Sequence, residues 1–89
     1  MKVKDFIEMT KNDTLGVIEL ELPERRENGY VIRETKSSAY DDLSNYYDWA
    51  IVGFRRMDSI ALIYKLCDTI NGTDTTKYTH AYRLKVVSR

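Results

Sequence analysis

Two hydrophobic periodicities divide this chain into helical and extended segments. Val3, Phe6 and Ile7 recur at the i, i+3 and i+4 spacing of an amphipathic helix. Residues 18–22 instead alternate apolar and acidic side chains, which predicts a strand with one buried face. Residues 77–86 also alternate, with aromatic or apolar side chains and His80 at the even positions and basic or small side chains at the odd positions. We expect the even-numbered side chains of that strand to face the core and the odd-numbered ones to face water.

A hairpin is predicted where the first strand returns over residues 30–35, after a charged turn. Pairing Leu20 with Ile32 places two apolar side chains on the inner face. The same register sets Glu19 opposite Arg33 on the outer face. Apolar side chains and opposite charges are therefore both matched across the pair.

A second short helix is predicted over residues 38–48. Ser38 with Asp41 three residues later is typical of a helix N-cap followed by an acidic first turn. Leu43 and Tyr47 would then share the face that packs on the sheet, and the helix would end near Asp48.

An apolar hairpin follows, with strands over residues 49–54 and 60–64 joined by a tight turn over 56–59. Alternation assigns Ile51 to one face and Phe54 to the other, so both faces carry apolar side chains. Strands of this kind are covered on both sides. The cover is either the chain itself or a partner, and the pattern leaves monomer and homodimer open.

The predicted element order is α-β-β-α-β-β-β, which indicates an α+β fold with a mostly antiparallel sheet of four to five strands and two short helices. A chain of 89 residues has room for one modest core, so residues 1–89 are expected to form a single domain.

Composition narrows the function classes. Fourteen basic residues balance fourteen acidic ones, which argues against both a dedicated DNA-binding protein and a strongly acidic DNA mimic. Cys67 is the only cysteine, which excludes an intramolecular disulfide and a cysteine-based zinc cluster. No apolar run approaches the ~20 residues of a membrane-spanning helix, and the first residues lack the apolar core of a signal peptide. We therefore expect a soluble, cytoplasmic protein.

The segment over residues 40–49 combines three aspartates with four aromatic residues and contains no basic side chain. Tyr and Trp are enriched at binding hot spots, and acidic groups steer towards basic partners. Helical spacing explains part of the segment as packing but not Tyr46, which we expect to be exposed. The predicted partner-binding residues are Asp41, Asp42, Tyr46, Tyr47 and Asp48.

A nucleic-acid-binding face is the alternative. Lys77, Arg83 and Lys85 would project from one side of the last strand and could contact phosphates. The competing interpretation is a solvated strand face whose charges neutralise Glu19, Glu21 or the aspartates nearby.

Catalytic and metal sites have little support in the sequence. Asp41, Asp42, Asp48 and His80 supply ligand types without a diagnostic spacing, and so do Cys67 and Asp68. A Cys67–His80 thiolate pair would need the fold to bring the two residues together. His80 is expected to be a hydrogen-bonded residue on the inner face of its strand. We therefore predict no enzyme activity, no metal and no cofactor.

Residues 1–9, with the later segments 49–54 and 60–64, resemble a class of small proteins. They resemble uncharacterised proteins of phages and integrative elements in low-GC Gram-positive bacteria. That resemblance implies a mobile-element origin, where proteins of this size include anti-CRISPR and other anti-defence inhibitors that act by stoichiometric binding. The predicted function is a non-enzymatic module that blocks a nucleic-acid-binding groove of a host nuclease complex.

Overall fold

The computed structural model describes residues 1–58 and 78–88. Within these residues the chain forms one α-helix, one 3₁₀ helix and six strands. In chain order they are α1 (Val3–Met9), β1 (Gly16–Glu21), β2 (Arg25–Glu27), β3 (Tyr30–Ile32), β4 (Thr35–Ser37), the 3₁₀ helix (Ser44–Tyr46), β5 (Ala50–Met57) and β6 (His80–Val87).

A mixed four-stranded sheet in the order β4-β1-β6-β5 forms the centre of the described fold. β1 and β6 are parallel neighbours, with Gly16 opposite His80 and Leu20 opposite Leu84. The two outer pairings, of β4 with β1 and of β5 with β6, are antiparallel. The predicted α+β class is therefore confirmed. The parallel pairing of β1 with β6 makes the sheet mixed. Alternation could not predict this pairing, because it indicates which face a side chain occupies and not the direction of the neighbouring strand.

The predicted register of the first hairpin was wrong. β1 pairs with β4, which sets Leu20 opposite Lys36, while β2 and β3 form a separate two-stranded hairpin. Asn28 and Gly29 both have positive φ, 52° and 83°, as a two-residue type I′ turn requires. This tight turn closes the charged segment on itself, so the strand that returns to β1 begins later than predicted.

The core lies between α1 and one face of the sheet. Val3 and Phe6 of α1 pack with Leu20 and Leu84 from the two central strands, and Val86 extends the cluster along β6. The predicted inward face of the last strand is confirmed for Leu84 and Val86, which are buried. Burial of such side chains contributes roughly 1.5–3 kcal/mol each, so this cluster is the main source of stability among the described residues. The expected outward face of the last strand was wrong at Ala81, which is buried against Val17 in a second, smaller cluster.

The second predicted helix was wrong, since only the 3₁₀ helix over Ser44–Tyr46 forms there. The Asp42 side chain accepts a hydrogen bond from the Ser44 amide, and such local side-chain bonds compete with helix formation. The consequence reverses two expectations. Tyr46 is half-buried against Trp49, with ring centroids 5.0 Å apart, whereas Tyr47 is exposed.

β5 differs from the predicted apolar hairpin in two ways. It continues through Met57, where a turn was predicted, and it pairs with β6. A bulge between Ile51 and Gly53 also breaks the alternation, so Ile51 opposite Val86 and Phe54 opposite Leu84 share one face. The predicted return strand over residues 60–64 lies outside the described residues. Among the residues described, no helix is long and apolar enough to cross a membrane.

Candidate functional site

A cluster of polar side chains lies where β1 begins beside β6. Asp13, in the turn before β1, accepts hydrogen bonds through Oδ2 from His80 Nε2 at 2.7 Å and from the Tyr82 hydroxyl. His80 Nδ1 lies 2.8 Å from Thr79 Oγ1. His80 is buried, whereas Thr79 is exposed, so the cluster runs from the interior to the surface. We call these four residues the Asp13 cluster.

Gly16 makes the close approach within the Asp13 cluster feasible. The parallel register sets Gly16 opposite His80. A Cβ atom at position 16 would lie 2.7 Å from His80 Nε2 and 2.7 Å from Tyr82 Cε2. The absence of a side chain therefore leaves the space in which the carboxylate of Asp13 meets its two donors.

The hydrogen bonds shift the pKa values of Asp13 and Tyr82. The Tyr82 hydroxyl, and next the His80 ring, lower the pKa of Asp13 from 3.8 to about 2. The bond to Asp13 raises the pKa of Tyr82. A carboxylate that is ionised can only accept hydrogen bonds, so His80 Nε2 must carry a proton. In the neutral imidazole Nδ1 is then the acceptor, and the Thr79 hydroxyl donates to it.

Arg56 forms the outer border of the Asp13 cluster. Its guanidinium carbon lies 5.8 Å from the centre of the Tyr82 ring, within the range of a cation–π contact. Arg56 Nε also donates to Asp58 at 3.0 Å. That carboxylate raises the pKa of Arg56.

Sequence reasoning identified His80 as a hydrogen-bonded residue of the inner face, and the structure confirms this. It missed Asp13, which lies in the turn between α1 and β1. The available signal was indirect, since a histidine and a tyrosine on one inward strand face both need polar partners. Cys67 and Asp68 lie outside the described residues, and so does any contact of Cys67 with His80.

The predicted partner-binding residues divide into separate locations. Asp41 and Asp42 each accept a hydrogen bond from a backbone amide, that of Ser37 at 2.8 Å and that of Ser44 at 2.9 Å. The bond from Ser44 lowers the pKa of Asp42. Both carboxylates are therefore held in place while their side chains stay exposed.

Asp41 and Asp42 border a groove of about 240 Å³ that the exposed Tyr47 also lines. Its apolar part comes from buried or half-buried side chains of α1, β1 and the loop before the 3₁₀ helix. We call this feature the acidic groove; it is lined by Ile7, Ile18, Ser38, Asp41, Asp42, Leu43 and Tyr47.

The other two predicted residues lie elsewhere. Tyr46 packs against the core, and its expected exposure was wrong. Asp48 lies beside the start of α1, 3.2 Å from Lys4 Nζ and 3.9 Å from Lys2 Nζ, so two ammonium groups offset its charge. The structure therefore brings together Asp41, Asp42 and Tyr47 alone.

The basic face proposed for nucleic acid is partly neutralised. Arg83 Nη2 lies 3.2 Å from Glu19 Oε2, and Arg83 Nε lies 3.6 Å from Glu21 Oε1. Lys85 is exposed on the same face, and Lys77 lies outside the described residues. The two glutamates offset the charge of Arg83, whereas Arg55, which lies opposite Arg83 on β5, is exposed on this face like Lys85.

Within residues 1–58 and 78–88, no group of three or more His, Cys, Asp or Glu side chains converges as a metal site would require. Comparison of the chain with protein-family models, with curated proteins and with solved structures finds no match. The geometry of the acidic groove and of the Asp13 cluster is therefore the basis for any functional assignment.

Proposed function

We propose that this chain is a non-enzymatic protein-binding module whose acidic groove takes a lysine or arginine side chain of a partner protein. The observation that carries this proposal is an apolar floor bordered by two carboxylates. Long cationic side chains bury their methylene stems on apolar surface and keep the charged head at a polar edge. Tyr47 adds an aromatic ring beside the carboxylates, and such rings attract cations.

The carboxylates of the acidic groove are organised before any partner arrives. The backbone hydrogen bonds to Asp41 and Asp42 hold each side chain in one position. A preorganised group loses little conformational entropy on binding, so more of its interaction energy contributes to affinity.

The free energies of these contacts indicate how large the interface with the partner must be. An exposed ion pair contributes roughly 0.2–1 kcal/mol, and an exposed cation–π contact roughly 0.5–1 kcal/mol. One side chain in the acidic groove thus gives less than the roughly 4 kcal/mol of a millimolar complex. The partner must therefore add a wider interface, of about 1,000 Å² or more, around that anchor.

In its specific form, the proposal is that the partner is a host nuclease complex and that the captured side chain belongs to its nucleic-acid-binding groove. Basic residues of such grooves normally neutralise phosphates, and an acidic surface competes for the same charges. The sequence resemblance to phage and mobile-element proteins supports this choice of partner. The protein would then act as an anti-defence inhibitor, of which anti-CRISPR proteins are one kind.

A peptide titration tests whether the acidic groove binds cations. We expect a lysine- and arginine-rich peptide to shift the backbone amide NMR signals of Ile7, Leu43 and Tyr47, and a glutamate-rich peptide of equal length to leave them unchanged. Asp41→Asn with Asp42→Asn keeps an acceptor oxygen at each position and removes both charges. Equal shifts in this double variant would contradict the proposal.

Affinity capture from bacterial lysate tests the specific form. A nuclease subunit should be retained by the wild-type protein, released by nucleic acid and lost with the Asp41→Asn, Asp42→Asn variant. Retention by both proteins to the same extent would mean that the acidic groove is not the contact.

A further inference from the structure

The Asp13 cluster has the connectivity that activates a hydroxyl group. Thr79 Oγ1 lies 2.8 Å from His80 Nδ1, and His80 Nε2 lies 2.7 Å from Asp13 Oδ2. A nucleophile within hydrogen-bond reach of a base, which a third group orients in turn, is the arrangement that nucleophilic catalysis requires. Thr79 is exposed and His80 is buried, so Thr79 is the member of this pair that reaches the surface.

The direction of each hydrogen bond agrees with that role. Asp13 can only accept, which places the ring proton of neutral His80 on Nε2 and leaves the lone pair of Nδ1 pointing at Thr79. In this tautomer His80 can take the hydroxyl proton directly. The carboxylate would also stabilise the imidazolium that forms.

We propose that Thr79 is an acyl-accepting nucleophile, with His80 as its general base and Asp13 as a positioning residue, and that its substrates are activated esters or thioesters. This assignment is independent of the acidic groove.

The acyl transfer balances without a further reactant. Thr79 Oγ1 attacks the carbonyl carbon, and a new C–O ester bond forms there as the bond to the leaving alcohol or thiol breaks. The hydroxyl proton passes to His80 Nδ1 and from there to the leaving group. The products are an acylated Thr79 and the free alcohol or thiol.

We expect one acylation per molecule and no rapid turnover. The backbone amide of Thr79 donates to the Leu15 carbonyl at 2.9 Å, so it is engaged and does not point at a developing oxyanion. Oxyanion stabilisation is commonly the largest contribution to acyl-transfer rates. The Thr79 amide therefore supplies no oxyanion stabilisation, and we expect slow self-acylation, which would make Thr79 a modification site.

Labelling with p-nitrophenyl acetate, followed by peptide mass spectrometry, tests the assignment within one molecule. We expect the acetyl group on Thr79, and at most a trace on Thr35, an exposed threonine of β4. Thr35 is the matched control because the only histidine in the chain, His80, is hydrogen-bonded to Thr79. Equal labelling of the two threonines, or labelling confined to amino groups and tyrosines, would overturn the proposal.

The variant His80→Gln separates the base from the fold. The glutamine amide can still donate to Asp13 but cannot take a proton, so we expect Thr79 acetylation to fall by about a hundredfold or more. Amide NMR spectra that match those of the wild type would show that the fold is retained. An unchanged rate of acetylation in the folded variant would overturn the role of His80.

Nitrogen-15 NMR of the His80 ring tests the positioning role of Asp13. In the wild type the neutral ring should show a protonated Nε2 and an unprotonated Nδ1. Asp13→Asn should mix the two tautomers and slow Thr79 acetylation, whereas a merely structural role would leave the tautomer unchanged. A wild-type ring protonated at Nδ1 would exclude the proposed direction of proton transfer.

Discussion

Asp13 and Asp41 both accept hydrogen bonds through their carboxylates, but their partners lie at very different distances along the chain. The partners of Asp13 lie 67 and 69 residues away on β6, whereas the partner of Asp41 is 4 residues away. The first aspartate joins two elements of the sheet, and the second only shapes its own loop. Asp13 therefore helps to hold the fold together, whereas Asp41 stays available at the surface.

Gly16→Ala would disturb the Asp13 cluster most strongly. The added methyl group meets two side chains at 2.7 Å, and overpacking of this kind costs about 1–3 kcal/mol. Gly53→Ala is the control, since its closest contact is Lys85 at 3.2 Å on the other face of the sheet. Denaturant unfolding should show the larger loss of stability for Gly16→Ala. Equal losses would mean that the Asp13 cluster is loosely packed.

Tyr82→Phe should have a smaller effect on stability. It removes one donor to Asp13 and keeps the ring packed against Phe6, whose centroid is 5.4 Å away. We expect a loss of about 1 kcal/mol, because Asp13 is partly exposed and water can replace the donor. Tyr47→Phe removes a hydroxyl from the exposed ring of the acidic groove and should leave the thermal midpoint unchanged. A comparable loss of stability in both variants would show that the Asp13 cluster and the acidic groove do not differ in their contribution to the fold.

The loss of stability at acid pH tests the contribution of the Asp13 charge. Its pKa is lowered to about 2 in the fold from 3.8, so its stabilising contribution is full above the higher value and is lost as pH falls through the lower one. Thermal unfolding between pH 5 and 2 should therefore show a steeper loss in the wild type than in Asp13→Asn. Parallel profiles would show that Asp13 is not held as an acceptor in solution.

The smallest effect on stability is expected for Asp41→Asn with Asp42→Asn. Both amide oxygens can accept the bonds from Ser37 and Ser44, so the free energy of unfolding should stay within about 0.5 kcal/mol of the wild type. Lysine at the same positions would remove the acceptors as well as the charges. A large loss in the asparagine variant would show that the carboxylate charges themselves stabilise the loop.

Features that depend on residues close together in the sequence could be predicted. The stripe of α1 and the inward face of β6 followed directly from their periodicity, and Leu84 and Val86 are buried as expected. His80 was likewise assigned to a hydrogen-bonded place on that face. Each of these depends only on the spacing of side chains along one element.

Features that depend on competition between partners could not be predicted in this way. A 3₁₀ helix stands where a longer helix was expected, beside a local bond from Ser44 to Asp42, and Tyr46 points inward. The Asn28–Gly29 turn shifts the strand that returns to β1. The Asp13 cluster requires the parallel pairing of β1 and β6, and alternation within either strand contains no information on it.

Synthesis of this chain completes β1 long before its central neighbour exists. Glu19 and Arg83, which face each other across β1 and β6, are 64 residues apart, so translation separates them by roughly 3 to 13 seconds. During that time α1, β1 and β4 can assemble, because they lie close together in sequence. β6 then has to insert between β1 and β5, at the centre of the sheet. The nascent chain therefore exposes the open edge of β1 until β6 has been made, and this interval is when it depends most on protection from aggregation.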